Sequence, residues 1–493
     1  MNQMNWPAVY PEIVLLAMAC VVAMVDLWVT HPRRLPTYLL TQASLAVVAA
    51  MQLLAFNAGD TVYAMQRMVV ADPMGHLLGL FSTLAVMVSL VYAQPYVAER
   101  DMLKGELFTL GLFSLLGILV MLSANNFLVV YLGLELMSLS LYALVAMRRD
   151  HADATEAAMK YFVLGALASG FLLYGLSMMY GATGSLDISE VFKAIGTGRI
   201  NKSVMILGVV FIVAGLGFKL GAVPFHMWVP DVYQGAPTAI TLLLGGAPKL
   251  AAFAITIRLL VEGMLGLAGD WQQMLVVLSV GSMLLGNIVA IAQTNLKRML
   301  AYSSIAQVGF MLLGLCSGVV YDNTISAGNS YASSMFYIVT YVLTTLGTFG
   351  MVMLLSRPGF EAEEIGDLAG LARRSPWFAL VMTIFMFSLA GLPPTVGFYA
   401  KLSVLQSLVS TNVPGFVYLA VAAVVLSLIG AYYYLRVIKV MYFDEPVDTR
   451  PIVSTPSVRA VMSLNGVAVL AFGILPGGLM TLCVQAIVKA LAT

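Results

Sequence analysis

Long apolar runs, separated by short polar stretches, dominate this chain of 493 residues. A transmembrane helix needs about 20 apolar residues, and on that measure the pattern predicts about fourteen segments. Their centres lie near residues 19, 47, 84, 115, 136, 169, 212, 249, 283, 309, 343, 393, 428 and 472. The loops between them are too short to hold a soluble domain. We therefore expect an all-α membrane protein with one polytopic domain over residues 1–493.

Composition narrows the possible classes of protein further. Hydrophobic residues make up 60% of the chain and charged residues 10%, with a formal net charge of +1. This balance argues against a soluble protein and against nucleic acid as a partner. The three cysteines, Cys20, Cys316 and Cys483, are far apart and lie in apolar segments. We expect no disulfide and no metal or iron–sulfur site, because no Cys or His cluster is present.

The basic residues of the loops predict the orientation. If the N-terminus lies outside, the outer side contains only five of the 25 Lys and Arg residues, namely Arg67, Lys193, Arg199, Lys202 and Lys489. Fifteen lie on the cytoplasmic side, and the other five lie within apolar segments. Because Lys and Arg accumulate in cytoplasmic loops, we expect both termini on the outer side.

The seventh and twelfth segments are interrupted. The seventh contains Gly221–His226 (GAVPFH), shortly after Lys219, and the twelfth contains Gly391–Pro394 (GLPP), with Lys401 seven residues later. A proline removes a backbone hydrogen bond and clashes with the preceding turn. At membrane depth, the freed carbonyls need protein or water around them. Broken helices in the two halves of a transporter point to its ion site.

The spacing of these breaks predicts an internal repeat. Pro224 lies in the seventh segment and Pro393 in the twelfth, five segments further along the chain. A repeat of five helices has an odd number of spans, so its second copy must be inserted upside down. We expect two inverted five-helix repeats, with Lys219 and Lys401 as approximate counterparts. The expected parts are helices 1–3 in residues 1–105, helices 4–8 in 106–262, helices 9–13 in 272–442 and helix 14 in 457–487.

Charged side chains inside the apolar segments are the candidate functional residues. The basic ones are Lys160, Lys219, Lys249, Arg258 and Lys401, and Glu135 is an acidic one near the middle of the fifth segment. A charge in the bilayer interior costs about 2.5–3.5 kcal/mol and commonly marks a proton or ion path. Burial disfavours the ammonium form of a lysine, whereas a nearby carboxylate favours it. We therefore predict a proton relay of Glu135, Lys219, Lys249 and Lys401.

Each of these residues also has a structural interpretation. Lys160 and Arg258 lie near helix ends, where long basic side chains reach the headgroups, and Asp26 could reach the interface in the same way. His76 and His226 are interpreted as helix-end or loop residues. The four relay candidates could instead form a buried structural ion pair, but one glutamate cannot neutralise three lysines.

Four stretches of sequence carry a resemblance to a known family. They are Tyr131–Leu144 (YLGLELMSLSLYAL), Lys160–Gly170 (KYFVLGALASG), Phe218–Thr238 (FKLGAVPFHMWVPDVYQGAPT) and Gly391–Lys401 (GLPPTVGFYAK). They resemble the antiporter-like membrane subunits of proton-pumping NADH–quinone oxidoreductase, respiratory complex I. The likeness covers nearly the whole chain. Lys401 stands where the M-type subunits have a glutamate, which favours the N type.

The resemblance implies a fourteen-helix subunit in the membrane arm of a complex in a bacterial inner membrane. Glu135 would be the helix 5 carboxylate, Lys219 its helix 7 partner, Lys249 the central connecting lysine and Lys401 the helix 12 group. The expected partners are other membrane subunits of the complex, including neighbouring antiporter-like subunits, and the lipid bilayer. No cofactor is expected in this chain, and flavin, iron–sulfur clusters and quinone would be held by other subunits.

Two other functional classes stay open. A subunit of a multi-subunit cation/proton antiporter has the same fold, and association with antiporter components instead of redox subunits would favour it. A self-sufficient solute transporter is less favoured, because no polar substrate pocket is evident beyond the titratable residues. The cost of burying the lysines argues against a purely structural scaffold.

Overall fold

The computed structural model describes residues 4–198, 200–320, 323–446 and 449–492. Arg199, one of the basic residues expected on the outer side, lies outside this part of the chain. Thirteen of the helices found there are long and apolar enough to cross a membrane. The prediction of an all-α membrane protein is confirmed.

The first seven predicted segments correspond to nine helices. They are α1 (Tyr10–Trp28), α2 (Leu35–Ala58), α3 (Pro73–Ala98), α4 (Gly105–Leu122), α5 (Phe127–Val145), α6 (Ala152–Thr183), the short surface helix α7 (Ile188–Gly196), α8 (Lys202–Leu220) and α9 (Trp228–Gly235). The last two form the broken seventh segment, as predicted. A 3₁₀ turn, Trp6–Val9, precedes α1.

The remaining segments correspond to eleven helices in the described residues. They are α10 (Thr238–Gly245), α11 (Ala247–Thr256), α12 (Ala268–Ile291), α13 (Leu296–Cys316), α14 (Ala327–Leu355), the short α15 (Leu371–Arg374), α16 (Pro376–Ala390), α17 (Val396–Val409), α18 (Pro414–Phe443), α19 (Pro456–Ile474) and α20 (Gly477–Leu491). The twelfth segment is the broken pair α16 and α17. A π-helical stretch, Ile257–Gly263, continues α11, and 3₁₀ turns cover Leu265–Leu267 and Ile365–Leu368.

The two predicted breaks have the same local geometry. The helix before each break ends at a glycine in the left-handed region, Gly221 with φ 78° and Gly391 with φ 83°. Glycine adopts this conformation without steric cost. The next N–H then bonds back to the last turn, from Ala222 to Gly217 at 2.8 Å and from Leu392 to Phe387 at 2.9 Å. This pattern closes a helix and leaves its last carbonyls available to other donors.

Three features were not predicted. Segment 8 is divided at Gly245–Gly246 and segment 14 at Leu475–Pro476. A glycine with non-helical backbone angles (φ −97°, ψ −111°) causes the first division, and a proline accounts for the second. A small antiparallel hairpin, β1 (Val62–Ala64) and β2 (Val69–Ala71), joins α2 to α3, with Tyr63 opposite Val70.

Three spans form the buried centre of the bundle. In each of Thr238–Gly263, Leu296–Cys316 and Ala327–Leu355, 94% of the apolar window is buried. By contrast, 28% of the window in Trp6–Trp28 and 22% in Pro414–Phe443 is buried, so these helices turn most of their surface outward. The central spans therefore hold the side chains that are furthest from lipid.

Candidate functional site

Glu135 and Lys219 lie on adjacent elements but do not form a direct ion pair. Glu135 is at the middle of α5, and Lys219 is one residue before the end of α8. The Lys219 Nζ donates a hydrogen bond to the Oγ of Ser138 at 2.9 Å. Residues 135 and 138 share a face of α5 because they are three positions apart. The Glu135 Oε1 is buried without a hydrogen-bond partner in the described part of the chain.

Aromatic rings enclose the end of α8. The Trp228 indole N–H donates to the Phe218 carbonyl at 3.0 Å. The Trp228 ring stacks on Tyr161 with centroids 4.7 Å apart and on Phe218 with centroids 5.5 Å apart. Tyr142 packs edge-on against Tyr161 at 4.6 Å. These rings cover the break beside Lys219 and keep its polar backbone away from lipid.

Lys249 is buried at the centre of the bundle. It lies on α11 and is 2% exposed. Its Nζ donates to the carbonyl of Leu220, the last residue of α8, at 2.5 Å. Lys249 therefore binds the carbonyl end of the helix that carries Lys219.

Lys401 has the same relationship to the second break. It lies on α17 and is 8% exposed. Its Nζ donates to the carbonyls of Leu389 at 3.1 Å and Ala390 at 2.9 Å, the last two residues of α16. It also donates to the Oγ of Ser427 on α18 at 2.8 Å. Phe310 provides an aromatic face 4.9 Å from the ammonium.

Both lysines are thus bound by neutral acceptors. The last carbonyls of a helix lack intrahelical donors and carry about half a negative charge through the helix dipole. An ammonium has three N–H donors and fits such an end well. No ion pair involving Glu135, Lys219, Lys249 or Lys401 occurs among the described residues, whose other acids and bases form several. These contacts therefore do not favour the alternative of a buried structural ion pair among these four residues.

Comparison with known proteins identifies the family. Residues 124–429 match the family model described as NADH:quinone oxidoreductase/Mrp antiporter, TM. The chain is 62% identical over its full length, and over the full length of the relative, to NADH-quinone oxidoreductase subunit N of Herminiimonas arsenicoxydans. The chain belongs to this family of antiporter-like respiratory membrane subunits.

Solved structures agree with the family assignment. A chain of respiratory complex I from Thermus thermophilus is 30% identical and superimposes with a TM-score of 0.80, covering 97% of this chain and 100% of that one. A chain of the Mrp complex from Dietzia sp. has a TM-score of 0.85 at 20% identity, covering 99% and 97%. At that identity the second likeness concerns the fold alone. The sequence-based resemblance to complex I subunits of the N type is confirmed.

In this family member, a hydrogen-bonded network adjoins Lys401. The Gln307 amide donates to the Leu389 carbonyl at 2.9 Å and to the Tyr434 hydroxyl at 3.0 Å. Tyr337 donates to the other end of the same amide, and Tyr434 bonds Ser303 at 2.5 Å. The network borders a cavity lined by Gln307, Tyr337, Thr340, Tyr341, Thr344, Ser388, Leu389, Gly397 and Ala400. About 10 Å³ of it is accessible to the centre of a water molecule, which is room for one water.

Arg258 corrects the expectation that it reaches the headgroups. Its side chain is 1% exposed and bonds Asp72 at 2.7 Å and Glu262 at 2.8 and 3.0 Å. The π-helical stretch after α11 and the N-cap of α3 meet at this site, so the arginine points into the protein. The sequence did not predict this burial, because Asp72 and Glu262 lie near segment ends. Carboxylates are common at such positions and do not indicate a buried ion pair.

Lys160 and Asp26 also have protein partners. Lys160 was expected to reach the headgroups, but its ammonium bonds both Glu156 and Asp231 at 2.7 Å. Asp26 bonds Arg34 at 2.5 Å and Thr37 at 2.9 Å near the end of α1. His226 lies in the first break, as expected for a loop residue.

A layer of ion pairs, which we call the ion-pair face, lies at the end of the bundle opposite the hairpin. Glu361 accepts from Tyr96 at 2.8 Å, Arg100 at 3.0 Å and Arg148 at 3.4 Å. Burial favours the neutral acid, but the hydrogen bonds from Arg100 and Tyr96 outweigh it and hold the pKa of Glu361 below its usual value. Only the tertiary structure brings together these groups, because Glu361 is far from all three partners in sequence.

Further polar contacts of Lys297 and Arg298 at this face join the two halves of the chain. Lys297 is 1% exposed and bonds Glu363 at 2.9 Å and the Ala236 carbonyl at 2.8 Å. Arg298 bonds Asp231 at 2.7 Å. The described residues contain no group of three or more His, Cys, Asp or Glu side chains arranged to hold a metal ion.

Proposed function

We propose that this chain translocates protons through Glu135, Lys219, Lys249 and Lys401 as a membrane-arm subunit of NADH–quinone oxidoreductase. The observation that carries the proposal is the binding of Lys249 and Lys401 to the carbonyl ends of two broken helices. Neither ammonium is locked by a carboxylate among the described residues. Each can therefore lose its proton without leaving a buried acid unpaired.

Proton transfer is the chemistry that these environments favour. A buried lysine loses part of the hydration that stabilises its charged form, while the carbonyl end of a helix restores part of that stabilisation. The charged and neutral forms are then closer in free energy than in water. A proton on Glu135 would remove a negative charge near Lys219 and so favour the neutral form of that lysine.

The contacts support an order of transfer. Lys219 bonds Ser138, one turn from Glu135, and Lys249 bonds the carbonyl of Leu220, the residue after Lys219. The path therefore runs from Glu135 to Lys219 and then to Lys249 at the centre. On the far side, the hydroxyl and amide network of α13, α14 and α18 bonds the Leu389 carbonyl that Lys401 also binds, and we propose that the proton passes from Lys249 to Lys401 along it.

We also propose that residues 106–262 and 272–442 form two inverted repeats. Close helix contacts recur at the interval that separates the prolines of the two breaks. Gly117 in α4 packs on the backbone of residues 133 and 137 in α5, and Gly286 in α12 packs on residues 302 and 306 in α13. A side chain on either glycine would clash with the partner backbone, so the same close approach is required in both units.

Loop pairing supports the same repeat. Asn126 and Asn295, which are separated by that same interval, cap the starts of α5 and α13. Each forms an isolated antiparallel bridge with a later loop residue, Asp187 and Glu364 respectively. Lys219 precedes its break and Lys401 follows its own. Lys219 and Lys401 are therefore counterparts in their nearness to a break, whereas in contacts Lys401 matches Lys249, because each of these two binds the carbonyl end of the helix before a break.

Coupling would come from the rest of the complex. Quinone reduction in other subunits would shift the field at Glu135, and the neighbouring antiporter-like subunits would pass that shift along the membrane. The excess of basic residues on one side supports an orientation with both termini outside. Under that orientation, the ion-pair face is cytoplasmic in a bacterial inner membrane.

The test is Lys249→Met in the assembled complex, with Lys489→Met as the matched control on an exposed lysine near the C-terminus. Inverted membrane vesicles would be assayed for NADH-driven proton uptake, quinone reduction and NADH–ferricyanide activity. We expect Lys249→Met to abolish proton uptake and depress quinone reduction while ferricyanide activity persists, because electron entry does not need this chain. Unchanged proton uptake in an assembled Lys249→Met complex would refute the relay.

A further inference from the structure

A second cluster of buried charges lies outside the lysine relay, at the end of the bundle that carries the β1–β2 hairpin, which we call the hairpin face. Asp72, the N-cap of α3, is fully buried and bonds Arg258 at 2.7 Å. Glu262 bonds the same guanidinium through both oxygens. Arg258 also donates to the Leu122 carbonyl at 3.0 Å, so its guanidinium bonds two carboxyl groups and the carbonyl end of a helix.

A cavity with about 10 Å³ accessible to the centre of a water molecule adjoins this ion pair. Glu12 of α1 and Asp72 of α3 both line it, together with Gln52, His76 and Ser123. The Asp72 Oδ2 and the Glu12 Oε2 are buried and have no hydrogen-bond partner among the described residues. Two carboxyl groups therefore have an unpartnered oxygen beside the same small polar space.

Charge balance at this site requires a proton. Three carboxyl groups lie at this site. Asp72 and Glu262 both bond Arg258, and Glu12 lines the small cavity together with Asp72. If all three were ionised, the cluster would hold two uncompensated negative charges in a buried site, which is strongly unfavourable. Two nearby carboxylates resolve such a conflict when one keeps its proton. A proton on one of the two unpartnered oxygens also turns that oxygen into a hydrogen-bond donor.

His76 connects this site to the surface. Its Nδ1 lies 2.7 Å from the Gln52 side-chain oxygen, and its ring lines both the small cavity and a neighbouring cleft. About 350 Å³ of this cleft is accessible to the centre of a water molecule. Its lining residues are Asn5, Pro7, Ala8, Tyr10, Pro11, Met51, Leu54, Ala55, Ala58, Asp60, Val62, Ala71 and His76.

We propose that Glu12, Asp72 and Glu262 hold a shared proton beside Arg258, and that His76 exchanges this proton with the cleft. The Nδ1–H donates to the Gln52 oxygen, so Nε2 is the nitrogen that accepts the proton and releases it again, and no other reactant is needed. The other elements at the cavity, α2 and α4, contribute Gln52, Leu119, Leu122 and Ser123 and no charge. Tyr10 and Asp60 are the remaining titratable groups at the cleft.

This site is separate from the proposed relay, because in the described part of the chain none of its side chains bonds Glu135, Lys219, Lys249 or Lys401. It nevertheless lies on the same central span as Lys249, since Arg258 and Glu262 belong to the continuation of α11. A proton held there would place a titratable charge at the hairpin-face end of that span.

The test uses dicyclohexylcarbodiimide, which reacts with protonated carboxyl groups in apolar surroundings. The assembled complex would be labelled between pH 6 and pH 9 and the modified residues located by mass spectrometry. We expect at least one of Glu12, Asp72 and Glu262 to be labelled at pH 6 and less so as the pH rises. Exposed Glu190, paired with Lys193 at 2.9 Å, is the matched control and should stay unlabelled. Labelling of none of the three above the level of Glu190 at pH 6 would overturn the proposal.

A pH jump followed by a short labelling pulse tests the part played by His76. After the pH jump, carboxyl labelling in His76→Asn should change about tenfold more slowly than in the unaltered chain. The final labelling levels should be the same. His31→Asn is the control, because His31 is exposed on the loop between α1 and α2. Equal exchange rates in the two variants would exclude His76 as the route. This outcome is independent of the lysine relay, which Lys249→Met tests.

Discussion

The Lys219 ammonium contacts the Ser138 hydroxyl at 2.9 Å and forms no direct ion pair with Glu135. A hydroxyl both accepts and donates, so Ser138 can hold the ammonium and face the carboxylate on its own helix. The arrangement leaves Glu135 free to change its protonation without breaking a salt bridge.

Ser138→Ala should lower NADH-driven proton pumping about tenfold, because a hydrogen bond to a charged group contributes about 1.5–3 kcal/mol. Ser138→Thr should recover part of the loss. Ser140→Ala is the matched control, since in the described part of the chain its hydroxyl bonds the Leu136 carbonyl of its own helix, at 2.7 Å, and no charged group. Pumping in inverted vesicles is the measurement. Equal pumping by Ser138→Ala and Ser140→Ala would show that the contact is incidental.

Glu135→Gln should assemble normally and yet depress both coupled quinone reduction and proton pumping. Lys219→Ala should have a comparable effect, and the double variant should lose less than the sum of the two, because the residues act together. The measurement is proton uptake normalised to the amount of assembled complex. Strictly additive losses would mean that the two residues act independently.

Lys249→Arg and Lys401→Arg should impair pumping although the positive charge is kept. Guanidinium stays protonated up to about pH 12, so it holds a proton but does not release one. Lys401→Glu should retain partial activity, since the family resemblance implies a glutamate at this position in M-type subunits. Vesicle acidification driven by NADH across a range of pH is the assay. Normal pumping in both arginine variants would leave these lysines with a structural role only.

Arg258→Ala should destabilise the subunit by about 3–5 kcal/mol, because it leaves two buried carboxylates without their cation. Lys160→Ala should cost about 1 kcal/mol or less, since both the lysine and its acidic partners are partly exposed. The amount of chain incorporated into the complex, and the temperature at which it is lost, would measure the difference. Similar losses for the two variants would contradict the burial of Arg258.

The stability contribution of Glu361 should depend on pH. Hydrogen bonds from Arg100 and Tyr96 lower its pKa in the folded chain, so its contribution is full above the unfolded pKa of about 4.3. It is lost as the pH falls through the lower folded value. Glu361→Gln should therefore reduce thermal stability by about 1 kcal/mol at pH 7, and the difference from wild type should shrink below about pH 4. A difference that is the same at both pH values would rule out the ionised pairing.

Local pattern predicted most of the architecture. The length of each apolar run fixed the membrane segments, because a bilayer of about 30 Å requires about 20 apolar residues. Proline and glycine placed the two breaks, since their backbone restrictions act within a few residues. The same reasoning missed the division at Gly246, although Gly245, Gly246 and Pro248 stand close together there, because the apolar run continues through them and only the non-helical backbone angles of Gly246 show the break.

The sequence by itself therefore determined that Glu135, Lys219, Lys249 and Lys401 lie within the membrane and that helices 7 and 12 are broken. Only the tertiary structure decided their partners. Lys249 meets Leu220 across 29 residues of sequence, and Arg258 meets Asp72 across 186. The apolar run around a charged residue shows that the residue lies in the membrane, because this depends on one segment alone. The acceptor that stabilises the charge is contributed by another helix, and only packing brings the two together.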